Sequence, residues 1–84
     1  MTDTLVYLHS DVTEVLRKLG NKSHIIDYIE QIRANPETVG DYREPDPRGR
    51  MVEVKILGRY ALLFFRDPFA GIAKILELRN VESL

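Results

Sequence analysis

The sequence predicts an α+β domain: a short N-terminal strand, an antiparallel helical hairpin, and a mainly antiparallel sheet of three to four strands on which the hairpin packs. Three observations carry this. Residues 51–79 divide into three runs rich in β-branched, aliphatic and aromatic residues, separated by turns that carry glycine or proline. Residues 10–34 place apolar side chains at helical spacing. Thr4-Leu-Val-Tyr-Leu8 is a compact run of β-formers ahead of the first helix.

The first helix starts at Ser10 or Asp11, either of which suits the N-cap, and Asp11 with Glu14 resembles a capping box. Val12, Val15, Leu16 and Leu19 form its apolar face. Arg17 and Lys18 fall in the last turn, where cations suit the helix dipole, and Gly20 is expected at C′. Asn21 or Ser23 opens the second helix. Its stripe is Ile25, Ile26, Ile29 and Ile32 with Tyr28 beside it, and Asn35-Pro36 closes it because a residue before proline is pushed out of the α region. The short link at Gly20-Asn21-Lys22 implies antiparallel neighbours. Residues 36–50, with three prolines and two glycines, read as a long loop holding a short extended piece near Val39–Arg43.

The strands that follow are Met51–Leu57, Tyr60–Arg66 and Ile72–Arg79, joined at Gly58-Arg59 and at Asp67-Pro-Phe-Ala-Gly71. Short connections favour an antiparallel meander. The middle strand is apolar on both faces, with Tyr60, Leu62 and Phe64 on one and Ala61, Leu63 and Phe65 on the other. Two short helices suffice for one face only, so the other is expected to stay partly bare or to meet a partner. Val52, Val54, Ile56, Leu62, Leu63, Phe64, Phe65 and Ile75 are expected in the core or in that partner surface. Which of them meets the helices stays open, since a one-residue slip inverts the answer.

Composition bounds the function. The 84 residues make one domain spanning 1–84, with 44% hydrophobic and 30% charged residues. No cysteine is present, which excludes disulfides and thiolate metal sites. The opening Met-Thr-Asp-Thr lacks the features of a secretory leader, and no apolar run approaches the roughly 20 residues of a membrane span, so a cytoplasmic address is expected. A net charge of −1 and a pI near 6.1 argue against a dedicated nucleic-acid binder, although a local basic patch suffices for contact.

The chemistry is thin. His9 and His24 lie on separate elements without ligand spacing, and the acids Glu37, Asp41, Glu44 and Asp46 read as a solvated loop without EF-hand spacing. No metal site and no cofactor are expected. Ser10 and Ser23 read as caps. The basic residues on and beside the sheet remain: Arg48, Arg50, Lys55, Arg59, Arg66, Lys74 and Arg79. By alternation Glu53 and Lys55 share a face, and Ile75, Glu77 and Arg79 share another. A lysine and an arginine on one open face hold phosphates or stabilise a charged transition state. The same residues also suit a solvated face of paired opposite charges.

The element order, the segment Val52-Glu-Val-Lys-Ile-Leu-Gly-Arg-Tyr-Ala-Leu-Leu-Phe-Phe-Arg-Asp67 and the later Ile75-Leu-Glu-Leu-Arg79 resemble the RelE/ParE superfamily, small toxins of type II toxin–antitoxin pairs. The resemblance implies a helical hairpin on a twisted antiparallel sheet and an antitoxin protein bound on the toxin surface. In the RelE branch it implies metal-independent cleavage of messenger RNA on the ribosome, with basic residues binding phosphate and the RNA 2′-hydroxyl attacking. In the ParE branch it implies inhibition of DNA gyrase. Carried over by position, Lys55 and Arg79 are the expected catalytic residues, Arg48, Arg50 and Arg59 the RNA- or phosphate-binding ones, and Tyr60, Leu62 and Phe64 the partner-binding ones. Two positions depart from the nuclease pattern. Ala61 stands where such nucleases carry arginine, and the tail after Arg79 holds neither tyrosine nor histidine. Three readings follow: a RelE-type endonuclease, a toxin that acts by binding a protein such as gyrase, and a non-toxic homodimeric module paired through its spare sheet face.

Overall fold

A computed structural model describes residues 4–81. It is an α+β arrangement of two helices and a five-stranded mixed sheet. The elements run β1 (Leu5–Leu8), α1 (Ser10–Lys18), α2 (Ser23–Ala34), β2 (Tyr42–Pro45), β3 (Met51–Leu57), β4 (Tyr60–Asp67) and β5 (Ile72–Asn80), with spatial order β1-β5-β4-β3-β2. The meander β2-β3-β4-β5 is antiparallel, while β1 pairs parallel to β5.

The fifth strand is the departure from the expected sheet. β2 lies inside the segment read as a loop, overlapping the extended piece foreseen there. It forms because its start is pinned to β3 by side chains as well as by the ladder. The amide of Asp41 donates to the Val54 carbonyl at 2.7 Å, and the Asp41 carboxylate accepts the Ile56 amide at 2.8 Å. Gly40 donates to the Glu53 carboxylate at 2.8 Å. A strand this short and polar is held by such bonds, which no hydrophobic periodicity reveals.

The helix ends match expectation in part: Ser23 is the first residue of α2, but the caps differ. The α1 cap is His9, whose Nδ1 accepts the Asp11 amide at 3.1 Å; Ser10 and Asp11 are already helical. Gly20 does not take the left-handed conformation expected of a C′ glycine. Leu19 is extended, and the Lys22 ammonium reaches back to the Leu16 carbonyl at 3.1 Å. Lys22 stands at the α2 N-cap without a side-chain cap bond. Asn35 ends α2 as expected. Arg66 on β4 secures that end, donating to the Ile32 carbonyl at 3.1 Å and to the Thr4 hydroxyl at 3.2 Å. Burial holds the Arg66 guanidinium below its ordinary pKa, an effect that Tyr28 and Glu53 partly offset.

Both faces of β4 are buried. On one, Leu62 and Phe64 pack with Ala73, Ile75 and Leu78 of β5 against Val12 and Leu16 of α1 and Ile25, Tyr28, Ile29 and Ile32 of α2. Tyr60 is half-buried at the margin of this core. Leu62 and Phe64 are therefore the floor of the helix-covered core, with no exposed surface, which corrects their expected part in partner binding. On the other face Ala61 and Leu63 form a second small core with Val52 and Val54, flanked by Phe65, Leu76 and Val81. The spare face is thus not bare either. Ile56 lies outside both clusters and is exposed.

A β-bulge in the β4–β5 pairing settles the faces. The register shifts between Leu63 and Phe64, so that Glu77 opposes Leu63 and Ile75 opposes Phe64. Two residues of β5 then span one step of β4. Ile75 falls on the helix side with Leu78, whereas Glu77 and Arg79 fall on the other, so the expected grouping of Ile75 with Glu77 and Arg79 does not hold. The β3–β4 hairpin is the expected two-residue turn at Gly58-Arg59, and Gly58 has φ of 63°, the positive value that a type II′ turn needs at its first central residue.

Gly40 has no room for a side chain: a Cβ there stands 2.5 Å from the Val54 carbonyl oxygen, which is backbone and cannot swing aside. Gly40→Ala is expected to pry β2 from β3 and destabilise the fold by about 2 kcal/mol. The urea-unfolding midpoint of the variant, set against that of Gly20→Ala, where nothing lies within 4 Å, measures it.

Candidate functional site

Lys55 and Arg79 mark the expected catalytic centre, and the strand register places them on opposite sides of the sheet. Lys55 opposes Leu62 and Leu62 opposes Leu78, which puts Lys55 on the helix side. Arg79 opposes Ala61, on the far side. The sheet core lies between the two groups, so one phosphate cannot touch both.

Each cation also has its own carboxylates. The Lys55 ammonium donates to Asp41 Oδ1 at 3.1 Å and stands 5.6 Å from the centre of the Tyr28 ring. The bond from the Ile56 amide and then the Lys55 ammonium hold the Asp41 carboxyl below its ordinary value. Tyr28 sits at the hub of this side. Its hydroxyl donates to the Val39 carbonyl at 2.9 Å, and its ring meets Phe64 edge-on. Burial, reinforced by the nearby charges of Asp41 and Glu53, pushes the Tyr28 phenol up to about 12. A neutral phenol at physiological pH is a structural donor here and a poor general base.

On the far side Arg79 is clamped between two glutamates. Its Nη2 lies 3.2 Å from Glu44 Oε2 and 3.2 Å from Glu77 Oε1. These bonds, Glu77 first, raise the Arg79 pKa above its ordinary value. Glu44 belongs to β2, three strands from β5 and four residues away in register, or about 20 Å in a flat sheet. The contact means that the sheet curls, with the Arg79–Glu44 pair bridging its concave face. Beneath lies a cleft of about 220 Å³ lined by Val52, Leu63 and Leu76 among others.

The residues expected to bind phosphate are dispersed. Arg50 donates to Asp46 Oδ2 at 3.0 Å, and its guanidinium lies 4.2 Å from the centre of the Phe65 ring, so it covers the second core. Arg48 is exposed in the turn before β3, where the Asp46 carboxylate accepts its amide at 2.9 Å. Arg59 lies beyond the other end of β3, some 20 Å away along the strand. It lines a cleft of about 390 Å³ with Leu19, Asn21, His24, Gly58 and Tyr60. In that cleft an expected cation and a histidine line the same space, an arrangement that depends on how the turn between the helices lies against the hairpin, which the sequence pattern does not report. The acids Asp41, Glu44 and Asp46, read as solvated, prove to be the partners of Lys55, Arg79 and Arg50. Asp41 and Glu44 meet their cations only across paired strands, which the sequence pattern does not show, whereas Asp46 and Arg50 stand four residues apart in one turn.

Among the described residues no group of three or more acids and histidines is placed to hold a metal ion, and no helix is long and apolar enough to cross a membrane. No protein-family model, curated protein or solved structure matches this chain.

Asp41 and Asp46 both sit below their ordinary pKa of 3.8. For Asp46 burial is the largest single influence and acts upward, and the amides of Arg50 and Arg48 together with the Arg50 guanidinium outweigh it. A depressed carboxyl binds its proton more weakly in the folded chain than in the unfolded one. The stability it contributes is therefore complete above about pH 4 and is lost as pH falls below that value. Urea titrations between pH 6 and 2 are expected to show this acid limb, and Asp41→Asn is expected to be less stable at pH 6 with a shallower fall toward pH 2.

Proposed function

We propose that this chain is the toxin of a type II toxin–antitoxin pair of the RelE/ParE type, and that it acts in the cytoplasm by binding a protein target, as gyrase inhibitors of the ParE branch do. Support for the class comes from the element order strand, helix, helix and antiparallel meander, which agrees with what the resemblance implies and adds one strand from the linker. The observation that carries the mode of action is the separation of Lys55 from Arg79 by the thickness of the sheet, each neutralised by its own carboxylates. Without a metal, nuclease chemistry draws its transition-state stabilisation from donors and cations aimed at one phosphate, which these two cations do not share. A protein-binding toxin needs none, and it tolerates Ala61.

The surface also offers an anchor for a partner. Phe69 is fully exposed at the tip of the β4–β5 turn. The turn itself is ordered: Asp67 Oδ1 accepts the amides of Phe69 at 3.0 Å and Ala70 at 3.2 Å, and Gly71 takes φ of 67°. An aromatic held out on a fixed turn loses little entropy on docking, which suits a binding hot spot. The antitoxin is the partner proposed for the chain at rest.

Tightly induced expression of this chain in a bacterial host tests the reading. Growth arrest is expected, without codon-specific messenger cleavage in ribosome profiling and with toxicity retained in Lys55→Ala. Codon-specific cuts, abolished in Lys55→Ala or Arg79→Ala, would establish the endonuclease instead. Normal growth with abundant soluble protein would remove the toxin reading altogether.

A further inference from the structure

We infer that the chain pairs with a second copy of itself through the free edge of β1, in antiparallel register centred on Tyr7. This rests on backbone geometry and is independent of the toxin reading. The Leu5 amide donates to the Gly71 carbonyl at 3.1 Å and the His9 amide to the Ile75 carbonyl at 2.9 Å. Residues 5, 7 and 9 therefore turn their polar backbone groups toward β5. Residues 4, 6 and 8 turn theirs outward. Of these, the Thr4 amide is taken by the Arg33 carbonyl at 3.0 Å, with the end of α2 beside it. Val6 and Leu8 are left with their amides and carbonyls along an open edge, and among the described residues no strand lies beyond β1.

The two edges of the sheet differ. β2 ends the far side with Arg43, Glu44 and Pro45, the charges and proline that discourage edge pairing. β1 reads Leu-Val-Tyr-Leu, with neither. Its side chains Leu5, Tyr7 and Leu8 are among the exposed large hydrophobic residues.

Self-complementarity selects the occupant and the register. In an antiparallel pair, outward-facing residues meet as hydrogen-bonded pairs. Val6 opposite Leu8 of the second copy, with its symmetry mate, gives four backbone bonds and uses every free group of the strand. Centring the axis on Val6 instead brings Leu8 against Thr4, whose amide is spent and where α2 stands. Centring it on Leu8 brings Val6 against Ser10, which is helical. With Tyr7 on the two-fold axis, the two tyrosines face each other as a close non-hydrogen-bonded pair, on the side of the sheet away from the helices. Leu8 covers Val6 of the other copy on the helix side. The product is one continuous ten-stranded sheet with isologous symmetry.

The chain has no cysteine, so a single introduced thiol reports on this geometry without interference. Tyr7→Cys places two thiols across a non-hydrogen-bonded pair, close enough for a disulfide, whereas Leu5→Cys places them about four residues out of register. Mild oxidation is expected to convert Tyr7→Cys to a covalent dimer and to leave Leu5→Cys largely monomeric. Sedimentation equilibrium of the native chain is expected to show a dimer. In Tyr7→Lys, which sets like charges on the axis while keeping the far-ultraviolet circular dichroism of the native chain, the dissociation constant is expected to rise about tenfold or more. A native chain that stays monomeric at high concentration overturns the inference, as does equal cross-linking of Tyr7→Cys and Leu5→Cys.

Discussion

β4 carries apolar side chains on both faces, and a chain of 84 residues has to keep water from both. Much of the structure answers that demand. The helices cover Leu62 and Phe64. Nothing of comparable size remains for Ala61 and Leu63, so the sheet covers them by curling on itself. Arg79 and Glu44 meet across the concave side, and the Arg50 guanidinium lies over the Phe65 ring. The long aliphatic stems of such arginines screen apolar surface while their charged heads stay paired and wet. Charged residues here do the covering that a third helix does in a larger domain.

That economy bears on what the cations are able to do. An arginine clamped between two glutamates and a lysine held by an aspartate are spoken for within the fold. Their removal disturbs the packing beneath them as well as the surface charge. Loss of activity in an Arg79 variant would therefore need a parallel measure of folding before it spoke about catalysis. Lys55, on the helix side and tied to the Tyr28 hub, carries the same ambiguity from a different core.

The sequence made much of this legible, through periodicity above all. The helical stripes at Val12, Leu16, Ile25, Ile29 and Ile32 and the strands from Met51 onward stand where their spacing puts them. Gly58 and Asn35-Pro36 mark their turn and their helix end through local backbone chemistry. Three things were not legible, each for a physical reason. β2 is held by side-chain bonds from Asp41 and Glu53, which leave no apolar pattern. The bulge between Leu63 and Phe64 is a property of the pairing of β4 with β5 and changes which side Glu77 and Arg79 occupy without altering the residue pattern of either strand. The partnership of Arg79 with Glu44 spans 35 positions and depends on curvature that emerges only once four strands are assembled. The last two also hide which side of the sheet each candidate cation takes, because alternation groups residues within one strand and carries neither the bulge nor the curvature.

The parallel pairing of β1 with β5 has a consequence in time. Of the five described strands β1 is synthesised first and β5 last, with 63 residues between Leu8 and Ile72. At translation rates of about 5–20 residues per second, the nascent β1 waits roughly 3–13 s for its partner to be made. Through that interval its apolar segment has both edges unpaired, on a polysome where identical nascent segments are concentrated. Completion of the sheet occupies one edge and leaves the other, so the order of synthesis itself brings first strands of neighbouring chains within reach of one another before either fold has closed.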